Sequence, residues 1–293
     1  TMRTYVECIP CFARQALNAA RVFAPDDEAR QTQLMTEVLG HLAGCDVRQP
    51  PPAIARDVYR MLRKRTGIRD PYADEKQRST EQVLELLPEL EAGFARADDP
   101  LEHGVRLAIA GNIIDFGAGD WSGGQDLRRV IEHALETDIC LDSMDRFRDR
   151  LAAAERILYI GDNCGEVVFD RLLIERLPRG KVTYAVRGRP ILNDVTRTEA
   201  REAGIGEWAE IIDNGSDAPG TILEDCTDEF RARFESADLI ISKGQGNYET
   251  LNDRPEEIFF LLKVKCPVVA RTSGQEEGTV LLYRKPSARE GEK

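Results

Sequence analysis

Histidine is scarce in this chain, and its cysteines form no recognisable zinc pattern. The three histidines, His41, His103 and His133, show no paired spacing, and Cys8-x-x-Cys11 is a single CxxC pair. Zinc bound by that pair would need two further ligands. A redox role would normally place the pair beside a strand, whereas here it opens a helical segment. Ordinary buried or helix-terminal thiols are therefore the favoured interpretation.

The chain also lacks an excess of positive charge, a long apolar run and an even number of cysteines. Its net charge is −12, which argues against a non-specific nucleic-acid binder. No run reaches transmembrane length, and the N-terminus lacks the apolar core of a signal peptide. The seven scattered cysteines indicate a reducing compartment. We therefore expect a cytoplasmic protein with no membrane or nucleic-acid partner. A small anionic ligand remains compatible with the negative charge, and the sequence is silent on oligomeric state.

The first half of the 293 residues predicts helices. Apolar residues recur there at helical spacing, with little of the alternation that marks strands. The predicted helices span 7–22, 26–42, 53–65, 74–87, 100–110, 127–135 and 144–154. The run Pro50-Pro51-Pro52 separates the second helix from the third, and Pro88 is expected to interrupt or kink the fourth.

From about residue 151, short β-rich runs alternate with helical stretches. Predicted strands span 156–160, 182–186, 210–213, 238–242 and 267–271, with a weaker one at 279–283; predicted helices span 167–177, 196–203, 222–234 and 255–262. This alternation predicts an α/β fold with a Rossmann-like, doubly wound and mainly parallel sheet. The expected organisation is an N-terminal all-helical domain (1–150), an α/β domain that binds metal and phosphate (151–286) and a disordered tail (287–293).

The predicted strand 156–160 is followed by Gly161-Asp162-Asn163-Cys164-Gly165-Glu166. In open α/β sheets such a junction lies at the carboxyl edge, where ligands bind. Asp162 and Asn163 offer hard oxygen ligands for Mg²⁺ or Mn²⁺, and Asp194 follows the next strand. We therefore predict a metal site formed by Asp162, Asn163 and Asp194, supported by Asn193. Helix capping, or an Asx-turn at Asp194, is the alternative.

The segment Lys243-Gly244-Gln245-Gly246-Asn247 follows the predicted strand 238–242 and favours a backbone cradle for an anion. Glycines let amide groups approach an oxyanion closely, and lysine adds a positive charge. The spacing is not that of a P-loop, and a glycine-rich turn with a solvated lysine is the alternative. Glu166 and Arg187 lie on two other polar strand ends. Both are predicted, with the cradle residues and Asn193, to contact substrate.

A further candidate lies in the helical half, at Gly111-Asn112-Ile113-Ile114-Asp115-Phe116-Gly117-Ala118-Gly119. A loop that reaches over the sheet edge would present Asn112 and Asp115 to the substrate. A helix start followed by a turn explains the same residues equally well. Cys164, inside the predicted site, is expected to line it rather than to act as a nucleophile, because no histidine lies near it in sequence to act as its base.

Together these motifs resemble the domain-of-unknown-function-89 family of metal-dependent damage-control phosphatases. The motifs are Gly-Asp-Asn-x-Gly-Glu at 161–166, Asn193-Asp194, Lys-Gly-Gln-Gly-Asn-Tyr-Glu at 243–249, Gly111-Asn112-x-x-Asp115 and the N-terminal CxxC. The resemblance covers nearly the whole chain, and the chain's size and CxxC are typical of the prokaryotic branch. It implies a helical N-terminal domain on a Rossmann-like domain, with Mg²⁺, Mn²⁺, Co²⁺ or Ni²⁺ held by Asp162, Asn163 and Asp194. It also implies hydrolysis of phosphate esters of small metabolites, including sugar phosphates and phosphopantetheine-like compounds.

A mechanism follows as a hypothesis. The ion would bind a phosphoryl oxygen, while Lys243 and nearby amides stabilise charge on the equatorial oxygens. Attack by water is preferred to attack by Asp162, because Cys164 replaces the second Asp of the Asp-x-Asp signature of haloacid-dehalogenase phosphatases. One alternative is an adenosylmethionine-dependent carboxyl methyltransferase, although the turn at 161–165 lacks the expected Gly-x-Gly-x-Gly. The other is a non-catalytic protein that binds phosphorylated metabolites.

Overall fold

A computed structural model describes residues 2–113, 127–136 and 139–284. Within these residues the helices are α1 (Cys8–Phe23), α2 (Glu28–Ala43), α3 (Pro51–Thr66), α4 (Ala73–Phe94), α5 (Pro100–Ile113), α6 (Leu127–Glu136), α7 (Met144–Ala153), α8 (Glu166–Ile174), α9 (Arg197–Glu202), α10 (Asp228–Ser236), α11 (Gln245–Leu251) and α12 (Pro267–Ser273). The strands are β1 (Ile139–Cys140), β2 (Ile157–Ile160), β3 (Val182–Val186), β4 (Glu210–Asp213), β5 (Leu239–Lys243), β6 (Ile258–Lys263) and β7 (Val280–Arg284). The predicted tail 287–293 and Asp115, with most of the loop 111–119, lie outside the described residues.

The strands form one sheet in the order β1-β7-β6-β5-β2-β3-β4. Every neighbouring pair is parallel except β6 and β7. The predicted α/β fold with a mainly parallel sheet is therefore confirmed. From β2 the chain first builds outward through β3 and β4, and then adds β5 and β6 on the other side. The strand order thus reverses between β2 and β5, and such a switch point is where open α/β sheets bind ligands.

Both faces of the sheet are covered by apolar residues. Ile157 and Tyr159 of β2 belong to one core cluster, and Leu158 and Ile160 belong to the cluster on the opposite face. Helices α4, α5 and α7 contribute to the first of these clusters, while α1, α2 and α3 pack mainly around a third. The helical half therefore shares its core with the sheet, and its predicted boundary near residue 150 stays a prediction. No helix among the described residues is long and apolar enough to cross a membrane.

Two predicted elements are wrong, and they are neighbours. The range 255–262 was expected to be a helix and contains all of β6 but its last residue, while 267–271 was expected to be a strand and lies in α12. A strand buried on both faces shows no alternation, so its apolar run cannot be distinguished from a buried helix by periodicity. Pro267 occupies the first turn of α12, where a backbone amide would have no partner within the helix, so proline is tolerated there. The Cys266 side chain caps that turn.

Smaller differences have similar local causes. Helix α4 continues through Pro88, which lies on its exposed face, so Pro88 does not end the helix as one of the two expected effects would have required. The helix expected at 222–234 begins only at Asp228, because Thr227 caps it by accepting from the Phe230 amide. Strand β1 was not predicted; it has two residues and pairs with β7.

Candidate functional site

The loop after β2 pairs directly with the segment that follows β3. The Val195 amide donates to the Asp162 carbonyl at 2.8 Å, and the Cys164 amide donates to the Asn193 carbonyl at 2.8 Å. Asn163 and Asp194 therefore face each other as an isolated antiparallel bridge. This backbone pairing brings the three predicted metal ligands together at the switch point, although they are distant in sequence.

Arg187, at the end of β3, joins the two aspartates. Its Nε donates to Asp194 Oδ2 at 2.7 Å, and its Nη2 lies 3.5 Å from Asp162 Oδ1. Its Nη1 donates to Asn247 Oδ1 at 3.1 Å, so all three guanidinium nitrogens are occupied within the site. Arg187 is 1% exposed. The substrate contact predicted for this residue stays a prediction.

The other half of the site is built around Glu166, in the first turn of α8. Its carboxylate accepts from Asn163 Nδ2 at 2.8 Å, from Asn112 Nδ2 at 3.1 Å and from Lys243 Nζ at 3.2 Å. Asn163 Nδ2 also donates to Asp162 Oδ2 at 3.1 Å, so this amide links the two halves. Of the helical-half candidates, Asn112 therefore does reach the site.

Lys243 is fully buried and lies between two carboxylates. Its Nζ donates to Asp170 Oδ1 at 2.6 Å as well as to Glu166, and Asp170 also accepts from the hydroxyls of Tyr159 and Tyr184. Burial alone would lower the pKa of Lys243, but Asp170 and Glu166 outweigh it and raise the pKa. The ammonium is therefore charged and positions Glu166. The catalytic contact predicted for Lys243 remains a prediction.

The predicted cradle brings the chain close to Asp162. Gly244 has φ of 76°, and a Cβ built on it would lie 1.8 Å from Asp162 Oδ2. A Cβ on Gly246 would lie 2.0 Å from the Pro219 carbonyl oxygen, and Asn247 Nδ2 donates to the Gly161 and Lys243 carbonyls. In this structure the glycines permit close packing of three loops. An anion held by their amides stays a prediction.

The charges of the buried site do not balance. Four buried carboxylates (Asp162, Glu166, Asp170 and Asp194) are paired directly with two buried cations, Arg187 and Lys243, which leaves two negative charges when all four are ionised. A third buried cation near Asp194, Lys76, is already paired with Asp70 and Glu199. Burial, then Glu166 and Asp194, raises the pKa of Asp162 well above its usual range. Burial likewise raises the pKa of Asp194 to about 6, although Arg187 opposes it. The site therefore favours an added positive charge.

These residues fit a divalent cation in charge and in donor chemistry. Asp162, Asn163 and Asp194 offer the oxygen atoms that hard cations prefer, and a divalent ion would balance the two excess charges. Among the described residues, however, no three His, Cys, Asp or Glu side chains are arranged to hold an ion. Two features account for this absence: Arg187 stands between the two aspartates, and the third predicted ligand, Asn163, is an amide and not one of these four residue types.

Two lysines at the carboxyl edge differ in exposure, and sequence reasoning missed the exposed one. Lys265 follows β6 and is exposed, and its charge lowers the pKa of Asp162. Its amide donates to Gln245 Oε1 at 3.2 Å, which ties its loop to the start of α11. The signal was a lysine just beyond an apolar run, but that run was assigned to a helix, so Lys265 was not placed at a strand end.

The cysteines are free thiols throughout the described residues. Cys164 is buried, and burial raises its pKa well above the usual thiol value. A protonated, buried thiol is a poor nucleophile. The lining role predicted for Cys164 stays a prediction. Cys8 opens α1, and burial, followed by the nearby Glu249 and Cys266, raises the pKa of the Cys8 and Cys11 thiols.

The sequence profile described as the damage-control phosphatase ARMT1-like domain matches residues 4–281. The chain belongs to this family. It is 33% identical to a damage-control phosphatase of Archaeoglobus fulgidus, over 94% of this chain and 96% of that protein. It is 34% identical to a damage-control phosphatase of Pyrococcus horikoshii, over 97% and 98% of the two chains. An uncharacterised protein of Methanocaldococcus jannaschii is 37% identical, over 95% of this chain and 94% of its own length.

Structural comparison agrees with the family assignment. The crystal structure of a DUF89 family protein from Pyrococcus horikoshii superposes with a TM-score of 0.88 at 32% identity, covering 98% of this chain and all of that chain. The predicted resemblance to the domain-of-unknown-function-89 family is confirmed. The ARMT1-like match runs from before Cys8 into β7, so it includes every described residue of the predicted site.

Gly244 provides the first test of this geometry. We expect Gly244→Ala to lower the free energy of unfolding by at least about 2 kcal/mol, because its left-handed backbone disfavours a Cβ and that atom would overlap Asp162. Gly40→Ala is the matched control: Gly40 lies in α2, and no described atom would lie within 4 Å of its Cβ. The control should be stabilised by up to about 1 kcal/mol. Urea denaturation of both variants measures the difference, and equal effects would contradict the packing described.

Glu249 of α11 generates a pH prediction. It is buried, Gln245 Nε2 donates to it at 2.9 Å, and burial raises its pKa to about 7. A raised carboxyl pKa means that the folded state loses stability as pH rises from about 4.5 to 7. Glu249→Gln removes this loss, on the order of 3 kcal/mol, at pH 8 but not at pH 4.5.

Thermal denaturation at the two pH values measures the gain. The exposed Glu85→Gln on α4 is the control and should change stability little at either pH. A gain from Glu249→Gln that is the same at both pH values would show that proton linkage at Glu249 is not its cause.

Proposed function

We propose that this protein is a metal-dependent phosphoric monoester hydrolase that acts on small phosphorylated metabolites in metabolite damage control. The observation that carries the proposal is the buried, doubly negative oxygen cluster at the switch point, with the exposed Lys265 beside it. Relatives along the whole chain are named damage-control phosphatases. Sugar phosphates and phosphopantetheine-like compounds are the proposed substrate classes, with Mg²⁺, Mn²⁺, Co²⁺ or Ni²⁺ as the ion.

The residues divide into those that would hold the ion and those that orient them. Asp162, Asn163 and Asp194 are the proposed ligands. Arg187 fixes both aspartates, and the Lys243–Glu166 pair fixes the Asn163 amide. When bound, a divalent ion supplies Lewis-acid stabilisation of phosphoryl charge and lowers the pKa of water.

Lys265 is the proposed cation for the phosphoryl group. Its side chain is exposed and its loop is anchored, so it can approach an anion without leaving a buried carboxylate. Lys243 would have to abandon Asp170 and Glu166 to do so, which would strand buried charge. We therefore assign substrate charge to Lys265 and internal positioning to Lys243.

Water is the proposed attacking group. Asp162 Oδ1 faces Arg187 and Oδ2 accepts from Asn163, so neither oxygen is free to attack phosphorus without losing a buried contact. The methyltransferase alternative gains no support, because Asp162 and Asn163 form the turn that an adenosylmethionine site would make from glycines. Release of phosphate from an aryl phosphate distinguishes the hydrolase from the non-catalytic alternative, which would release none.

The charge deficit predicts opposite effects of one substitution in two conditions. Asp162→Asn or Asp194→Asn should raise the melting temperature of the ion-free protein, because one uncompensated buried charge is removed. Each should also reduce the stabilisation by Mn²⁺ or Co²⁺ and lower metal-dependent phosphate release from an aryl phosphate by at least about 100-fold. Asp162→Ala and Asp194→Ala should abolish that release.

The control is Asp213→Asn. Asp213 ends β4 at the same edge but pairs with Arg197, away from the buried cluster. It should retain both the ion-dependent stabilisation and the turnover. If Asp162→Asn or Asp194→Asn keeps a native response to Mn²⁺, the proposed ligand set is wrong.

Lys265→Gln tests the second half of the proposal. It should lower kcat/KM for an aryl phosphate by about 10- to 100-fold, because it removes one charge-assisted contact to the phosphoryl oxygens. The stabilisation by Mn²⁺ should persist, since Lys265 is not a proposed ligand. Lys181→Gln, at the opposite edge of the sheet and paired with the exposed Glu155, is the control. Unchanged kinetics in Lys265→Gln would remove Lys265 from the mechanism.

A further inference from the structure

A group of arginines borders the site on the side of β3, opposite Lys265. Arg63 of α3 donates from Nη1 to the Pro190 carbonyl at 2.7 Å, which attaches the helix to the loop that follows Arg187. Arg189 immediately precedes that proline and is exposed. The same loop packs on the loop that follows β4, since a Cβ on Gly188 would lie 2.4 Å from Gly215. Arg63 and Arg189 therefore sit on a rigid platform at the carboxyl edge.

These cations are crowded, although the three arginines of α3 (Arg56, Arg60 and Arg63) are met by three carboxylates (Asp57, Asp217 and Asp225). Arg60 and Arg63 both contact the buried Asp217, and Arg60 also lies 3.8 Å from Asp225. Arg189 has no side-chain partner among the described residues. The pKa of Arg63 is lowered, first by burial and further by Arg60 and Arg189, although Asp217 opposes this. An anion placed beside Arg189 would weaken the repulsion between Arg189 and Arg63. Such a group of neighbouring cations is unusual in a chain of net charge −12.

The distance suits a small molecule. Strands β2 and β3 are neighbours, with a spacing of about 5 Å, and Asp162 and Arg189 lie two and three residues beyond their carboxyl ends. With the phosphoryl group near Asp162, as proposed, the rest of the substrate would lie over a neighbouring loop, either after β3 or after β5 and β6. On the β5 and β6 side, Lys265 is already assigned to the phosphoryl group. On the β3 side, a group three or four bonds from phosphorus comes within reach of a guanidinium.

We propose that the preferred substrates carry a second anionic group, a few bonds from the phosphate ester, which Arg189 binds beside Arg63. Arginine suits this role because its planar donors match an oxyanion in bidentate geometry. The inference rests on the proposed function, since it takes the phosphoryl position from it. It narrows the substrate class from phosphate monoesters in general to those with an anionic tail.

The test compares two esters that differ only in the tail. With Mn²⁺ present, kcat/KM is measured for 3-phosphoglycerate, which has a carboxylate, and for glycerol 3-phosphate, which has a neutral hydroxymethyl group. We expect roughly a tenfold preference for the carboxylate, expressed mainly in KM, as one charge-assisted contact gives. Arg189→Gln should remove the preference and Arg189→Lys should restore part of it.

Arg96→Gln is the matched control. Arg96 is exposed and lies 16 residues beyond Thr80, the part of α4 that touches the β2–α8 turn, or about 24 Å along a helix axis. It should keep the parent's preference. A preference that came from contact between the carboxylate and Mn²⁺ would also survive in Arg189→Gln. A parent without preference, or a preference that survives Arg189→Gln, overturns the proposal.

If neither ester is hydrolysed, phosphate release from an aryl phosphate decides the proposed function, and binding decides the inference separately. Isothermal titration of the same proteins with both esters then gives the two affinities. Tighter binding of 3-phosphoglycerate that is lost in Arg189→Gln supports the anionic-tail site, and equal affinities overturn it.

Discussion

The burial of charge at the sheet edge is the constraint on which this structure depends. An unpaired charge in a protein interior costs several kcal/mol, so each buried carboxylate needs a partner. The chain meets this with two acid–base–acid units: Asp194–Arg187–Asp162 and Asp170–Lys243–Glu166. Each unit keeps one negative charge. The Asn163 amide donates to Asp162 of the first unit and to Glu166 of the second, so it lies between the two units. The excess negative charge of both units is therefore close to Asn163.

The same pairing holds the fold together. Tyr159 of β2 and Tyr184 of β3 are register partners, and both hydroxyls donate to Asp170 of α8. Lys243 adds β5 to this contact. One buried carboxylate therefore joins three adjacent strands to the helix that follows the first of them. Removal of the Lys243 charge from this set would leave buried carboxylates without compensation, which typically costs about 3–5 kcal/mol. The site cannot be loosened without loosening the centre of the sheet.

Local signals were enough for most of the fold and for the convergence of the three predicted ligands at one sheet edge. Alternating strands and helices placed Asp162, Asn163 and Asp194 at one sheet edge, where the structure brings them together. Pairing between distant segments could not be read locally. Lys243 is followed by glycine and was interpreted as the positive charge of an anion cradle, because its pairing with Asp170, 73 residues away, could not be read from the local sequence. The exchange of strand and helix between β6 and α12 hid Lys265 for a different reason: buried strands lose the alternation that identifies them.

The inner and outer cations of the site are under different physical restrictions. Arg187 and Lys243 are buried and fully paired, so their geometry is fixed by the carboxylates around them. A charge brought by a ligand must instead be met by cations that lose little on moving, and Lys265 and Arg189 are exposed at the carboxyl edge of the sheet. Replacement of an exposed cation changes affinity with little effect on folding, whereas replacement of a buried one disturbs both. Substrate preference can therefore vary through the outer cations while the inner units stay unchanged.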